Sequence, residues 1–324
     1  MINFIKAYYY LERDFMSILD LDEAKERSKR SVGAVYIRNK PQIRSGKKND
    51  YMVGRFTNKD QEVDFKIWEE HIYRPVVEHG TGIYQAEVVG SEYNNQVYLT
   101  VTRIEVQKDE SINKEDFLSS VPMEKIQTLW KDARQNLSRL GVQDKTWMLI
   151  DKMTDNKIIK DRFWVEGAAT NHHDNLIGGL ANHSIKMLRI LATLVENDKR
   201  LVKHIDLLTV GTLLHDVGKV FEYDNLEMGK YWYANHRARG LEYIAEFRDE
   251  IISTFDERFY RQLQSIIIGH HGDYGDRPTT VAAAIVHYID TLESQVTDLL
   301  QMEARSNDGR IFVRDWGYLA GLDY

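Results

Sequence analysis

The stretch Leu213-Leu-His-Asp-Val-Gly-Lys219 decides how the larger, C-terminal part of this chain is read. Adjacent residues on a continuing helix point in different directions, so His215 and Asp216 can face one point only where a helix is ending. The pair closes an apolar run and Gly218 follows, as expected at such an end. Imidazole and carboxylate side by side suit a divalent cation, because they can bind one ion or two neighbouring ions. Of the eleven histidines, nine lie between 172 and 287. The pattern predicts a metal site spread over several helices, with hydrolytic chemistry.

Outward from that stretch, the apolar period is 3.6 from about residue 110 onward. Helices are expected over roughly 123–139, 144–153, 175–197, 205–217, 236–253, 257–269 and 280–303. Candidate ligands then fall on at least four helices or helix ends. His183 lies within the third, His215 and Asp216 end the fourth, and His236 opens the next. His270 and His271 end another, and Asp290 sits inside the last. A helical bundle can bring such inward groups to one core site. Taken alone, His183 or His236 would be an ordinary hydrogen-bonded histidine. Asp290, on an apolar helix, is costly to bury unless it has a partner. With six or seven ligands and a bridging aspartate, two ions about 3.5–4 Å apart are expected. The mixed nitrogen and oxygen donors favour Mn²⁺, with Co²⁺, Fe²⁺, Mg²⁺ and Zn²⁺ as alternatives. His204 lies in a charged, solvated segment, and His287 is left outside the ligand set.

Other chemistries find no support. There is no cysteine, which excludes disulfides, thiolate sites and a cysteine nucleophile. No Gly-x-Ser-x-Gly elbow and no Gly-x-Gly-x-x-Gly fingerprint occur. Gly218-Lys219 is not a phosphate-binding loop, because Leu213 and Val220 stand where that motif needs glycine and a hydroxyl. No apolar run is long enough to span a membrane, and the first residues lack a secretory pattern. A cytoplasmic setting is the expectation.

The N-terminal part is organised differently. Residues 1–30 read as a helix, rich in aromatics early and charged later. Five stretches then have strand character: Val32–Arg38, Tyr51–Phe56, Glu62–Trp68, Ile83–Val89 and Gln96–Val106. A short helix over Glu69–Glu78 would fit the longer interval between the third and fourth. The expected fold class is multidomain α+β, with a small five-stranded OB-like β-barrel followed by an all-α helical domain. The corresponding domains are a 1–27 extension, a barrel over 28–110, a helical domain over 111–303 and an irregular tail over 304–324. The net charge is −7, yet Lys25–Lys48 carries nine basic residues against one acid. A local field of that kind attracts a polyanion, although such a run can also be a plain solvated surface. Arg38, Lys40, Arg44, Lys47 and Lys48 are the candidate phosphate contacts. Phe65 and Trp68 are the leading candidates for stacking bases, with Tyr93 and Tyr98 beside them.

The residues resemble the HD-domain metal phosphohydrolases, whose pattern is His…His-Asp…Asp. Within that superfamily the chain is similar to the YhaM-type 3′–5′ exoribonucleases, which pair an N-terminal OB-fold with a C-terminal HD domain. The parts that carry the resemblance are Asn171-His-His-Asp174, Gly179-Leu-Ala-Asn-His183, Leu214-His-Asp-Val-Gly-Lys-Val-Phe-Glu222, Asn235-His236, Ile268-Gly-His-His-Gly272 and Ile285-Val-His-Tyr-Ile-Asp290. By position, His183, His215, Asp216 and Asp290 match the four core ligands. His236, His270 and His271 match the extra histidines of two-metal members, with Asp216 as the bridge. His172 and His173 match a family pair implied to line the site or contact phosphate. Lys219 matches a lysine that would steady a phosphate or the attacking water. Residues 1–27 and the tail after Gly309-Arg310 depart from the family pattern.

The resemblance implies a metal-dependent phosphodiesterase that trims single-stranded RNA, or DNA, from the 3′ end by water activated between two metals. Asp216, Lys219, His172 and His173 are the expected catalytic residues. Single-stranded RNA or DNA is the expected partner, no membrane is, and a homo-oligomer is left open. Two alternatives remain: an HD hydrolase of small nucleotides such as a dNTP or cyclic nucleotide, and a non-catalytic single-strand-binding protein.

Overall fold

The structure is a computed structural model and describes residues 17–46, 48–59, 61–94, 96–108, 111–168, 176–224, 226–306 and 309–322. The chain divides into two compact units, Met1–Ser119 and Ser120–Tyr324. Each has its own apolar core.

In the first unit, a single helical turn, α1 (Leu21–Ala24), is capped by Asp20, whose carboxylate accepts from the amides of Asp22 and Glu23. The expected helix over 1–30 is therefore corrected for its described part. Residues 17–29 are drawn into strand pairing instead: the Leu19 amide donates to the Ala34 carbonyl, the Ala34 amide donates to the Ser17 carbonyl, and Arg27 bridges to Gly90. Residues 1–16 lie outside the described residues.

Six strands follow: β1 (Arg30–Ile37), β2 (Gln42–Ser45), β3 (Asp50–Asn58), β4 (Gln61–Ile67), β5 (Gly82–Tyr93) and β6 (Gln96–Val106). A helix, α2 (Glu70–His79), stands between β4 and β5. Period-two alternation does what it should in β4, sending Val63, Phe65 and Ile67 inward and Glu62 and Asp64 out. The five-stranded OB-like barrel expected from the sequence is overturned. The strands form one six-stranded sheet in the order β1-β5-β6-β4-β3-β2. The missed strand explains the difference. β2 occupies the edge of β3 along Asp50–Val53, so β1 meets β3 at one residue pair only, Tyr36 with Thr57. By contrast β1 runs against β5 along its whole length. β2 escaped notice because Gln42-Ile-Arg-Ser45 is polar, exposed and lies between Pro41 and Gly46.

The second unit is helical: α3 (Met123–Leu140), α4 (Asp144–Thr154), α5 (Lys160–Phe163), α6 (Gly179–Asn197), α7 (Ile205–Leu214), α8 (Lys219–Glu222), α9 (His236–Glu246), α10 (Arg248–Thr254), α11 (Glu257–Gly269) and α12 (Val281–Arg305). Every one of the ten residues of α7 except Asp206 is buried. It is the central strut, and its first turn is fixed from outside by Asp206, which accepts from the Gln143 amide and the Thr146 hydroxyl. The stretch expected as one helix over 236–253 is two, broken at Phe247. The tail expected to be irregular is also corrected. After α12 it forms an antiparallel hairpin, β9 (Arg310–Val313) with β10 (Gly317–Ala320), its turn ending on Gly317 at a left-handed φ of 84°. A smaller hairpin, β7 (Tyr223–Asp224) with β8 (Glu227–Met228), follows α8. Among the described residues, no helix is long and apolar enough to cross a membrane.

Candidate metal centre

Four helix ends and two helix interiors deliver the polar groups to the middle of the helical unit. α7 stops at His215, which still has helical backbone angles, and the chain turns through Asp216–Gly218 into α8. That turn points both His215 and Asp216 inward, where each is almost wholly buried. Gly218 makes the turn possible. A Cβ there would sit 1.7 Å from the His236 carbonyl oxygen, so only glycine lets the turn abut the start of α9. His183 comes from the second turn of α6, and Asp290 from the interior of α12. His236 is the first residue of α9, and His270 and His271 follow α11.

These groups gather into sets whose ligand atoms lie within 4.8 Å of one another: His183, His215 and Asp216; His215, His270 and Asp290; and Asp216, His236, His270 and His271. Asp216 belongs to the first and the last, and its two oxygens divide the work. Oδ2 lies 3.2 Å from His215 Nε2, whereas Oδ1 lies 3.3 Å from His270 Nε2 and 3.6 Å from His236 Nε2. His183 Nε2 is 3.2 Å from Asp290 Oδ1.

The far side of four imidazoles, those of His183, His215, His236 and His270, fixes the tautomer. His215 Nδ1 donates to the Thr212 carbonyl at 2.8 Å, and His270 Nδ1 to the Ile267 carbonyl at 2.9 Å. A carbonyl can only accept, so the proton is on Nδ1 and the Nε2 lone pair faces the centre. Carboxylates play the same part elsewhere: Glu293 holds His183 Nδ1 at 2.5 Å and Glu222 holds His236 Nδ1 at 2.5 Å. Such outer partners orient metal-binding imidazoles and raise their basicity.

The donor set fits a cation. His215 Nε2, His270 Nε2 and Asp216 Oδ1 are buried without a hydrogen-bond partner, which is expensive unless a positive ion sits among them. His236 Nε2 and His271 Nε2 are 3.0 Å apart. Two ring nitrogens each about 2.1 Å from one ion, at roughly a right angle, would be about that far apart. The electrostatics agree. Burial lowers the pKa of His270, and burial together with His270 pushes His271 down to about 3, leaving both neutral and ready to coordinate. Burial opposes charge on Asp216, but Lys219 and His215 overcome it and hold the carboxyl well below its usual range. Asp290 is held low in the same way, against burial, by His183 and His215. At His183 burial is outweighed by Asp290 and Glu293, which lift its pKa to about 10. That pocket draws positive charge strongly, and a metal would compete there with a proton. Lys219 Nζ reaches Asp216 Oδ2 at 2.5 Å, and this pairing keeps the ammonium charged in spite of its burial.

The centre thus brings together His183, His215, Asp216, His236, His270, His271 and Asp290, with Lys219 beside them. His172 and His173 lie outside the described residues. Sequence reasoning missed Glu293 and Glu222. Glu293 stands one helical turn after Asp290, a spacing that could have flagged it, and Lys186, one turn after His183, pairs with it at 2.6 Å. His287 has a supporting place, its Nδ1 donating to the His270 carbonyl at 2.6 Å.

The nucleic-acid residues expected in the first unit separate. Phe65 is corrected: it is fully buried, stacked on Phe56 in the core at 4.3 Å, and cannot meet a base. Trp68 is 45% exposed and stacks on Tyr51 at 4.8 Å. Lys66, next outward on β4, lies 3.7 Å from the Tyr98 ring and within 6.0 Å of Trp68 and Tyr93. Arg44 pairs in register with Tyr51, which puts it on the same face. Lys40 and Lys48 are exposed and Arg38 is half-buried, while Lys47 lies outside the described residues.

Residues 180–295 match the HD domain family. The chain is also 24% identical over 279 residues to the 3′–5′ exoribonuclease YhaM of Listeria welshimeri serovar 6b, covering 80% of this chain and 83% of that one. Among solved structures, the asparaginyl-tRNA synthetase of Entamoeba histolytica in complex with asparaginyl-adenylate is matched at a TM-score of 0.22 and 13% identity, over 46% of this chain and 37% of that one. A putative aspartyl-tRNA synthetase from Leishmania major Friedlin is matched at 0.20 and 11%, over 51% and 40%. Both scores are too low to bear on the fold. The family match falls within the helical unit, and the similarity to the exoribonuclease extends over most of the chain.

Proposed function

We propose that this HD-domain protein is a metal-dependent phosphodiesterase that degrades single-stranded nucleic acid, acting as a 3′–5′ exoribonuclease that also accepts single-stranded DNA. The observation that carries the hydrolase reading is the pair of buried donor sets sharing Asp216, with Nε2 lone pairs turned inward by Thr212, Ile267, Glu293 and Glu222. Divalent ions bound there supply Lewis acidity toward a phosphoryl oxygen and an acidified water. Mn²⁺ suits the mixed donors best, with Co²⁺, Fe²⁺, Mg²⁺ or Zn²⁺ as alternatives.

The chain's own residues do the rest. Asp216 ties the two sets together through its separate oxygens. Lys219 balances that carboxylate and offers the phosphate a fixed positive charge in a dry site, where such charge is worth most. His172 and His173 are assigned to phosphate contact on the family motif. In the first unit, Tyr51, Trp68 and Tyr98, with Lys66 and Arg44, form a basic aromatic face of the kind that holds single strands. The choice of RNA and of polarity follows the curated relative's activity.

The test is a time course on 5′-labelled single-stranded RNA with Mn²⁺, with Asp216→Ala as the control. A ladder shortening from the 3′ end, absent in the variant, is the expected result. An intact strand with metal-loaded protein would overturn the reading and direct the search to dNTPs and cyclic nucleotides.

A further inference from the structure

Lys230-Tyr-Trp-Tyr233 stands immediately before the metal centre in sequence, and its three rings are turned out. Tyr231 is 51% exposed, Trp232 55% and Tyr233 70%. Singly exposed aromatics are common, but three in succession on one loop mark a surface that something covers.

The loop is built rather than loose. Its base closes on one residue, Glu222. The Gly229 amide donates to the Glu222 carbonyl at 2.8 Å, and the His236 amide and Nδ1 donate to the Glu222 carboxylate at 3.2 and 2.5 Å. Inside, Trp232 N donates to the Gly229 carbonyl and Ala234 N to the Tyr231 carbonyl. Asn235 then caps α9 by accepting from the Arg237 amide at 2.9 Å. The carboxylate that orients a metal-binding histidine therefore also anchors the loop carrying the rings. From Tyr233 to His236 the backbone spans three residues, at most about 11 Å.

We propose that this loop is the stacking platform for the terminal bases of the strand being cut. This inference rests on the phosphodiesterase reading. The rings sit edge to face, Tyr231 with Tyr233 at 6.3 Å and Trp232 with Tyr233 at 6.4 Å, so none is stacked on another and each stays more than half exposed. The Lys230 ammonium lies 5.2 Å from the Tyr231 ring, so a phosphate on a stacked nucleotide would meet a positive charge. Along the chain the rings are flanked by charged residues, Glu227 and Lys230 before them and Arg237 and Arg239 after, the two arginines being paired with Asp276 and Glu242. That setting suits a polyanion with flat bases better than a broad apolar protein surface, whose centre would be depleted of charge. The function assigned to the platform is positioning: it seats the end of the strand so that its last phosphodiester meets the donors.

The test compares two 5′-labelled RNAs with Mn²⁺, one normal and one whose last three nucleotides are abasic. The full-length protein should have a KM at least about tenfold lower for the normal strand, as expected for stacking of one or more bases. Tyr231→Ala/Trp232→Ala/Tyr233→Ala should raise the KM of the normal strand to that of the abasic one and leave that of the abasic strand unchanged. Tyr231→Phe/Trp232→Phe/Tyr233→Phe should restore the difference, which a merely collapsed loop would not. If the alanine variant keeps the wild-type preference, the proposal fails and the rings belong to a protein contact. If the wild-type protein cuts neither strand, the phosphodiesterase reading itself fails, and this inference with it.

Discussion

The helical unit and the sheet unit place their functional groups in opposite ways. In the helical unit the donors are buried or half-buried, the imidazoles of His183, His215, His236 and His270 are each locked by a partner behind them, and the turn at Gly218 admits no side chain. In the sheet unit, the aromatic and basic groups that could hold a strand lie on an open face, and Trp68 rests on Tyr51 while staying 45% exposed. The contrast teaches that the donor geometry is fixed by the fold itself, whereas the strand binding proposed for the sheet would be distributed over contacts that can be changed one at a time.

The sharpest way to break the comparison is Asp216→Asn. It should lower strand cleavage by about three orders of magnitude or more, as loss of a central catalytic group does, with single-strand affinity changed by less than about twofold. Equal loss of both, measured by cleavage rate and fluorescence anisotropy, would mean that the two functions are not separable. Glu293→Gln and Glu222→Gln come next. Each should cost about 10–100-fold in metal affinity or activity through misorientation of its histidine. Calorimetric metal titration checks this, and wild-type affinity would demote the carboxylates to packing.

In the sheet unit, Trp68→Ala should weaken strand binding by about 1–3 kcal/mol without unfolding the protein. Phe65→Ala should do the reverse, costing about 3–5 kcal/mol of stability. Thermal melts alongside anisotropy separate the two. The smallest effect expected is a pH slope. The His183 pKa, raised from 6.5 to about 10, means that its proton stabilises the metal-free fold fully below 6.5 and less as pH climbs through 10. A metal must displace that proton, so Mn²⁺ affinity should rise by up to about tenfold per pH unit between 7 and 9. A flat profile would remove His183 from the ligand set.

How much was legible follows the same divide. Metal ligands announce themselves by residue type, since few other reasons put His-Asp at the end of an apolar helix, and the seven named donors converge. Of their outer partners, Glu222 was silent because it looks like an ordinary helical acid until the fold brings His236 against it, whereas Glu293 was signalled only by its one-turn spacing from Asp290. In the sheet, the alternation in Val63–Ile67 located a strand, but Phe65 was read as a base platform when its parity with Val63 and Ile67 puts it inside. The barrel failed on β2, four polar residues whose pairing with β3 is a long-range event that no local period encodes. The hairpin β9–β10 was missed for the same reason, being defined by partners and a turn rather than by hydrophobic pattern.

The near-complete burial of α7 has a consequence for how the protein is made. A helix that apolar cannot stand in water, so it must wait for the elements that cover it, and α12 shares its core although four further helices separate the two in sequence. During synthesis α7 would be finished long before Asp290 exists, leaving an uncovered apolar segment that invites chaperones or self-association. Folding of the helical unit and completion of its donor set then become one late event, and a chain cut short before α12 should be aggregation-prone as well as inactive.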